Sequence, residues 1–266
     1  MRMMVYNIRY AAGIGRRFHT PLPYSGLLKR TDQNLKRIGT FIKSLKPDII
    51  GLIEVDSGSY RSKRSNQAEA IANELRYDHV FESKYSSDSL VKKLPLFNKQ
   101  GNALLTNQQI VSQTSHFFKH GFKRLVIELE LQSLVFFLVH LSIKYRHRHN
   151  QLKELYNMTR TIQKPLIVAG DFNAFWGDEE LALFMAAAGL QNVNDTGIPS
   201  HPSRSPHRQL DYILHSPEIK VRNFFVPQVR FSDHVPLVCD FDVQDVQRHI
   251  AKQTNPRISQ TTWRTT

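Results

Sequence analysis

Residues Pro165-Leu166-Ile167-Val168-Ala169-Gly170-Asp171-Phe172-Asn173 decide how this chain is read. The apolar run from Pro165 has the length of a buried strand. It stops abruptly at a carboxylate and a carboxamide, with Gly170 placed where the backbone must turn. In α/β folds, chemistry concentrates at the carboxyl ends of buried strands. An Asp and an Asn also make ordinary turns, so the weight comes from other strand ends of the same kind. Asp48-Ile49-Ile50-Gly51-Leu52-Ile53 runs into Glu54, and Leu210-Asp211-Tyr212-Ile213 carries an acid in a strand-like segment. Ser232-Asp233-His234 stands just ahead of Val235-Pro236-Leu237-Val238. Asn7 lies in the first strand-like stretch, Met3 to Ile8, and His140 closes Leu134 to Val139.

Strand and helix patterns alternate around these points. Leu35, Ile38, Ile42 and Leu45 recur at helical spacing after Asp32, and Pro47 ends that helix. Further helices are predicted over Asn66 to Leu75, His147 to Ile162 and Glu179 to Ala188. Strands are predicted over Val80 to Tyr85, Ala103 to Thr106, Ile110 to Phe117, Arg124 to Leu131 and Leu134 to Leu141, with a tight hairpin at Ser133. Others lie near Leu210 to His215, Ile219 to Val226 and Val235 to Phe241. Arg9 to Lys29 and Ser57 to Ser65 read as loops, the second polar and basic. Antiparallel strands mixed with helices predict two packed sheets covered by helices. No internal repeat is visible in the sequence. A catalytic domain is expected over 1–245, then a polar, basic tail over 246–266 that frays from Lys252.

The 266 residues are ample for a core, and the net charge of +13 with a pI near 9.9 favours anionic partners: nucleic acid, an acidic surface or a phosphorylated small molecule. The single cysteine, Cys239, excludes an internal disulfide and reads as a buried thiol. No run reaches the ~18 apolar residues of a membrane span, and no apolar leader precedes the first strand. A cytoplasmic monomer without integral membrane association is the expectation.

Asn7, Glu54, Asp171, Asn173, Asp211 and Asp233 together form an oxygen-rich set. Carboxylates gathered at one rim repel unless a cation or a raised pKa compensates. With no Cys/His cluster, the chemistry points to Mg²⁺ or Mn²⁺ rather than zinc, with Glu54 as the leading ligand. His140 and His234 add groups able to donate to a phosphoryl oxygen or take a proton. Three basic stretches adjoin these strands: Lys144 to His149 with Arg146 and Arg148, Arg204 to Arg208, and Arg61 to Arg64. They predict a basic rim, with Arg146, Arg148 and Arg208 as substrate-binding residues.

The ordered set Asn7, Glu54, His140, Gly170-Asp171-Phe172-Asn173, Leu210-Asp211-Tyr212 and Ser232-Asp233-His234 resembles the endonuclease/exonuclease/phosphatase superfamily. That group includes pancreatic-type deoxyribonucleases, abasic-site endonucleases, inositol polyphosphate phosphatases and neutral sphingomyelinases. The likeness spans about Met1 to Asp242, and Gly101-Asn102-Ala103-Leu104-Leu105-Thr106 resembles the family's central strand. It implies a four-layered α/β sandwich, two packed mixed β-sheets flanked by helices, and Mg²⁺-dependent phosphoester cleavage. By motif, Glu54 would bind the metal with Asn7 and Asp233 beside it. Asp171 would position and deprotonate the attacking water, and Asn173 would hold the phosphate. His234, oriented by Asp211, would contact the phosphate, and His140 would stabilise developing charge or assist the leaving group.

Where inositol phosphatases carry Trp-Cys-Asp-Arg, this chain has Arg208-Gln209-Leu210-Asp211-Tyr212. The Trp that abasic-site endonucleases place before Leu-Asp-Tyr is also absent. The leading expectation is a nucleic-acid phosphodiesterase. The alternatives are a sphingomyelinase-like or small-molecule phosphate hydrolase, and a non-catalytic binding module.

Overall fold

The computed structural model describes residues 1–15, 30–84, 97–121 and 123–244. The expected tail, most of the first loop and Tyr85 of the third predicted strand lie outside them.

Two six-stranded mixed sheets pack face to face. The first contains β1 (Arg2–Asn7), β2 (Ile49–Asp56), β3 (Asp78–Ser83), β4 (Gln100–Thr106), β11 (Ile219–Phe225) and β12 (Leu237–Val243). The second contains β5 (Ile110–Phe117), β6 (Leu125–Leu131), β7 (Val135–His140), β8 (Leu166–Asp171), β9 (Gln191–Asn192) and β10 (Asp211–His215). Helices α1 (Asp32–Leu45) and α2 (Gln67–Leu75) cover the outer face of the first sheet; α3 (Tyr145–Thr159) and α4 (Glu179–Ala188) cover that of the second. The result is the expected four-layered α/β sandwich.

Each sheet is built around one parallel pair, β1/β2 and β7/β8, joined by a helical crossover. The strand orders β11-β12-β1-β2-β4-β3 and β5-β6-β7-β8-β10-β9 match position by position. The two sheets therefore share one spatial strand arrangement, with the outer hairpin placed last in the chain for the first sheet (β11-β12) and first for the second (β5-β6), a repeat in space that the residue sequence does not show.

Three apolar layers hold the sandwich. Leu104, Leu129, Phe136, Leu138, Ile167 and Leu237 belong to the layer between the sheets. Phe172, Leu155 and Phe184 lie under α3 and α4, and Ile38, Ile42 and Ile71 under α1 and α2. Cys239 is buried, as expected, and burial pushes its thiol up to about 12. At Gly51 a Cβ would stand 2.7 Å from Leu138 Cδ1 of the opposite sheet, so glycine is what permits this approach. Among the described residues no helix is long and apolar enough to cross a membrane.

The helix predicted over Glu179 to Ala188 is found with those bounds, and two others shift at their ends. The third begins at Tyr145 and stops at Thr159, and α2 begins after Asn66, whose side chain accepts from the amides of Ala68 and Glu69. The stretch from Ser57 to Ser65 departs from a solvated basic loop. Arg61 is fully buried, bonded to Asp56 through Nη2 at 3.0 Å and stacked over the Tyr10 ring at 4.6 Å. A buried guanidinium needs such a partner.

Candidate active site

Strand register brings the marked residues to one rim. His140 and Asp171 are paired positions across the parallel β7/β8 ladder, and Asp171 and Asp211 across the antiparallel β8/β10 ladder. In the first sheet Asn7 stands opposite Ile53, the residue before Glu54. The two sheets meet where Asn7 Nδ2 donates to Asp171 Oδ2 at 3.1 Å. A cavity of about 510 Å³ opens here, lined by Asn7, Glu54, Asp171, Asn173, Asp233 and His234 among others.

The backbone departs from regular geometry at several of these points. Glu54 sits at φ 56°, within a register shift between β2 and β4 that re-aims its side chain. Asn102 Oδ1 accepts from the Glu54 amide at 3.2 Å and braces the shift. Asn173 is also left-handed, at φ 49°, and its amide donates to Asp171 Oδ1 at 3.0 Å. Its side-chain Nδ2 donates to Leu141 O, tying β8 to the segment after His140.

After β1, Arg9, Tyr10 and Ala11 are consecutively left-handed, at φ 48°, 54° and 56°. Each such residue costs roughly 1–2 kcal/mol. Gln67 Nε2 holds the Tyr10 carbonyl and Asn34 Nδ2 that of Ala11. The turn carries Arg9 to Asp233, with Nε 3.2 Å from Oδ2. Strain concentrated in this way is a recurring mark of functional sites.

The two histidines are treated oppositely. His234 Nδ1 lies 2.7 Å from Asp211 Oδ2, and Ser200 Oγ donates to that same oxygen at 2.6 Å. Burial disfavours the imidazolium, but Asp211, then Asp171 and Asp233, outweigh it and push His234 up to about 10. His140 is lowered by burial and by the Lys123 charge, against the pull of Asp171. Its Nε2 lies 3.2 Å from Asp171 Oδ2 and 4.0 Å from Glu54 Oε1, with no hydrogen bond of good geometry. Burial works to raise both acids. Glu54 is nevertheless held below its ordinary value by Lys123, His140 and Lys84, and Asp171 far below by His140 and His234.

The donors of this cavity are carboxylate and amide oxygens with two imidazoles, a set that fits a hard divalent cation. Within the described residues, two triads place their ligand atoms within 4.8 Å of one another: His201, Asp233 and His234, and Asp171, Asp211 and His234. Glu54 belongs to neither triad and has Lys123 Nζ 3.9 Å from its carboxylate. Asn7 Oδ1 accepts from the Arg9 amide at 3.0 Å.

The expected basic rim takes a different form. Arg148 is not at the mouth but buried beneath it. It pairs with Glu180 and donates to the carbonyls of Ser142 and Ile143 at 2.9 and 2.8 Å. Its place on α3 explains this, since the stripe it shares with Leu152, Leu155 and Thr159 faces the core. Arg61 serves Asp56, and Lys63 pairs with Asp32 at the surface. Arg146 and Arg208 are both exposed and outside the cavity lining, but Arg208 adjoins it, 5.6 Å above the ring of Phe175, which lines the cavity.

The cations that line the cavity are Arg9, Lys84 and Lys123, none of them in the three basic stretches. Burial and Lys123, against the pull of Glu54, bring Lys84 down to about 8. Sequence reasoning also missed Ser200, His201 and Asn102. Only Asn102 carried a signal, in Gly101-Asn102-Ala103.

A family model described as the Endonuclease/Exonuclease/phosphatase family matches residues 4–234. No curated protein matches the chain by sequence. Among solved structures, the human Nocturnin catalytic domain with bound sulfate is 25% identical, with a TM-score of 0.65 over 92% of this chain and 93% of that one. ANGEL2, a 2′,3′-cyclic phosphatase bound to adenosine-2′,3′-vanadate, is 17% identical, with a TM-score of 0.63 over 91% and 95% of the two chains. The mannosyl-6-phosphatase Bt3783 of Bacteroides thetaiotaomicron is 15% identical, with a TM-score of 0.64 over 91% and 99%.

Proposed function

The chain belongs to the endonuclease/exonuclease/phosphatase family of metal-dependent phosphoester hydrolases, and we propose that it is a Mg²⁺-dependent phosphodiesterase acting on nucleic acid by in-line water attack. One observation carries this reading: Asp171 lies within 4.0 Å of two oppositely poised imidazoles, at the base of the cavity that also holds Glu54.

Glu54, with Asn7 and Asp233 on the same wall system, would hold the divalent cation. When bound, that ion supplies charge neutralisation at the phosphoryl oxygens. The protein's own groups do the rest. Asp171 stays ionised at neutral pH, so it orients the attacking water more than it stores the proton. This narrows the role that the motif alone implied. His234, kept cationic by Asp211, would face a phosphoryl oxygen with Nε2, and charge held ready there needs no rearrangement during attack. His140 is the neutral partner, its buried Nε2 without a hydrogen bond and available to developing charge. Asn173 fixes Asp171 through its backbone amide and would stand beside the phosphate.

The net charge of +13 supports nucleic acid as substrate, as does the adenosine-derived ligand of the similar ANGEL2 structure. The mannosyl-6-phosphatase shows that this fold also serves sugar phosphates. Binding through the phosphate backbone predicts a steep fall in affinity with salt. The test is Mg²⁺-dependent nicking of supercoiled plasmid, with Asp171→Asn as the blank and sphingomyelin and phosphoinositide assayed alongside. Nicking abolished by both EDTA and the substitution supports the proposal. Turnover of either lipid without nicking overturns it.

A further inference from the structure

At the mouth of the cavity the surface changes character. Phe175 and Ile143 both line it and both remain exposed, at 38% and 59%. Phe175 follows Asn173, the residue assigned above to the phosphate, by two residues, and both line the cavity. The Arg208 guanidinium lies 5.6 Å above that ring. Trp176 is 73% exposed beside it. An apolar ring with a cation over its face, adjoining a phosphoester site, is the arrangement that receives a planar aromatic group attached to a phosphate.

Both sides of the mouth are held by one buried ion pair. Arg148 donates to Ile143 O, and Glu180, its partner, accepts from the Trp176 amide at 2.8 Å through its other oxygen. The 175–177 turn is further closed by Phe175 N to Asn173 O and Gly177 N to Ala174 O. The backbones carrying Ile143 and Phe175 are therefore fixed relative to each other before any ligand arrives, which lowers the entropic cost of a stacked complex.

Resting on the phosphodiesterase reading above, we propose that Phe175, with Arg208 over it and Ile143 across the mouth, is the subsite for the nucleobase next to the scissile phosphate. The base enters between Ile143 and the face of the Phe175 ring turned away from Arg208, whose guanidinium lies over the other face. Recognition is by the π-face and by shape, so it tolerates different bases.

The experiment compares kcat/KM in Mg²⁺ for a trinucleotide and for the same trinucleotide with abasic residues flanking the scissile phosphate, using wild type, Phe175→Ala, Phe175→Tyr and Arg208→Ala. Wild type should prefer the base-bearing substrate by about tenfold or more, the range that base–aromatic stacking supplies. Phe175→Ala should collapse that preference, Phe175→Tyr should restore it, and Arg208→Ala should reduce it. Fluorescence anisotropy of a labelled trinucleotide in EDTA should show the same order of affinities without turnover.

Cleavage of both trinucleotides with equal efficiency by wild type would overturn the subsite while leaving the phosphodiesterase reading intact. So would equal losses on both substrates in Phe175→Ala. Failure to cleave any nucleic acid, with Phe175→Ala instead losing turnover of sphingomyelin in vesicles assayed alongside, would overturn both and assign the rim to a membrane surface.

Discussion

Replacing Asp211 by Asn removes the charge that keeps His234 protonated while preserving the shape of the site. A free imidazole titrates near 6.5, and His234 in the fold is pushed up to about 10. That difference corresponds to stabilisation of the imidazolium on the order of 5 kcal/mol, shared among Asp211, Asp171 and Asp233. Asp211 is the largest favourable contributor and His234 is buried, so losing it should cost ~3 kcal/mol, as breaking one side of a buried pair does. The pH dependence fixes the sign. A histidine raised in the fold contributes fully below pH 6.5 and loses that contribution as pH rises through about 10. Urea unfolding in EDTA should therefore show the wild type ahead of Asp211→Asn by the largest margin near pH 6, with the margin closing toward pH 10. A margin that stays constant across that range would refute the reasoning, because the loss would then be packing rather than charge.

Arg148→Met should strand Glu180 beneath the site and release two loops together, lowering Tm by roughly 10 °C in a thermal melt. Millimolar Mg²⁺ should raise the wild-type Tm by a few degrees, as ion binding to the folded state alone predicts, and Glu54→Gln should abolish that rise while leaving the metal-free melt within a few degrees. Gly51→Ala should destabilise by about 1–3 kcal/mol through overpacking against Leu138, and pairing it with Leu138→Ala in a double-mutant cycle should recover part of that loss.

The candidate residues were legible because each breaks or borders an apolar run with a polar side chain, at the end of a strand (Asn7, His140, Asp171), within one (Glu54), at the start of one (Asp211) or just ahead of one (Asp233, His234). Arg148 was misplaced because a basic stretch was read as one surface. Its spacing to Leu152 and Leu155 already put it on the inward stripe of α3, and that periodicity outranks charge. Arg61 followed Asp56 closely enough to pair with it, but nothing in the sequence shows that Tyr10 would cap the pair. Lys84, Lys123 and His201 belong to no recognisable motif, and they reach the cavity only through tertiary placement. The left-handed turn at Arg9 to Ala11 and the irregular backbone at Glu54 contradict the preferences of their residue types. Contacts from Gln67, Asn34 and Asn102 hold them, and those partners come from distant segments.

The central place of β1 bears on how the protein is made. Its two neighbours are β2, which follows soon in synthesis, and β12, which comes near the end of the described chain. While the chain is still emerging from the ribosome, Arg2 to Val5 present an unsatisfied apolar edge, the kind of surface that recruits chaperones or aggregates. The segment that finally covers this edge is preceded directly by Asp233 and His234. The segment that closes the first sheet is therefore the same one that delivers His234 to Asp211, so sheet closure and assembly of the candidate site draw on one stretch of chain.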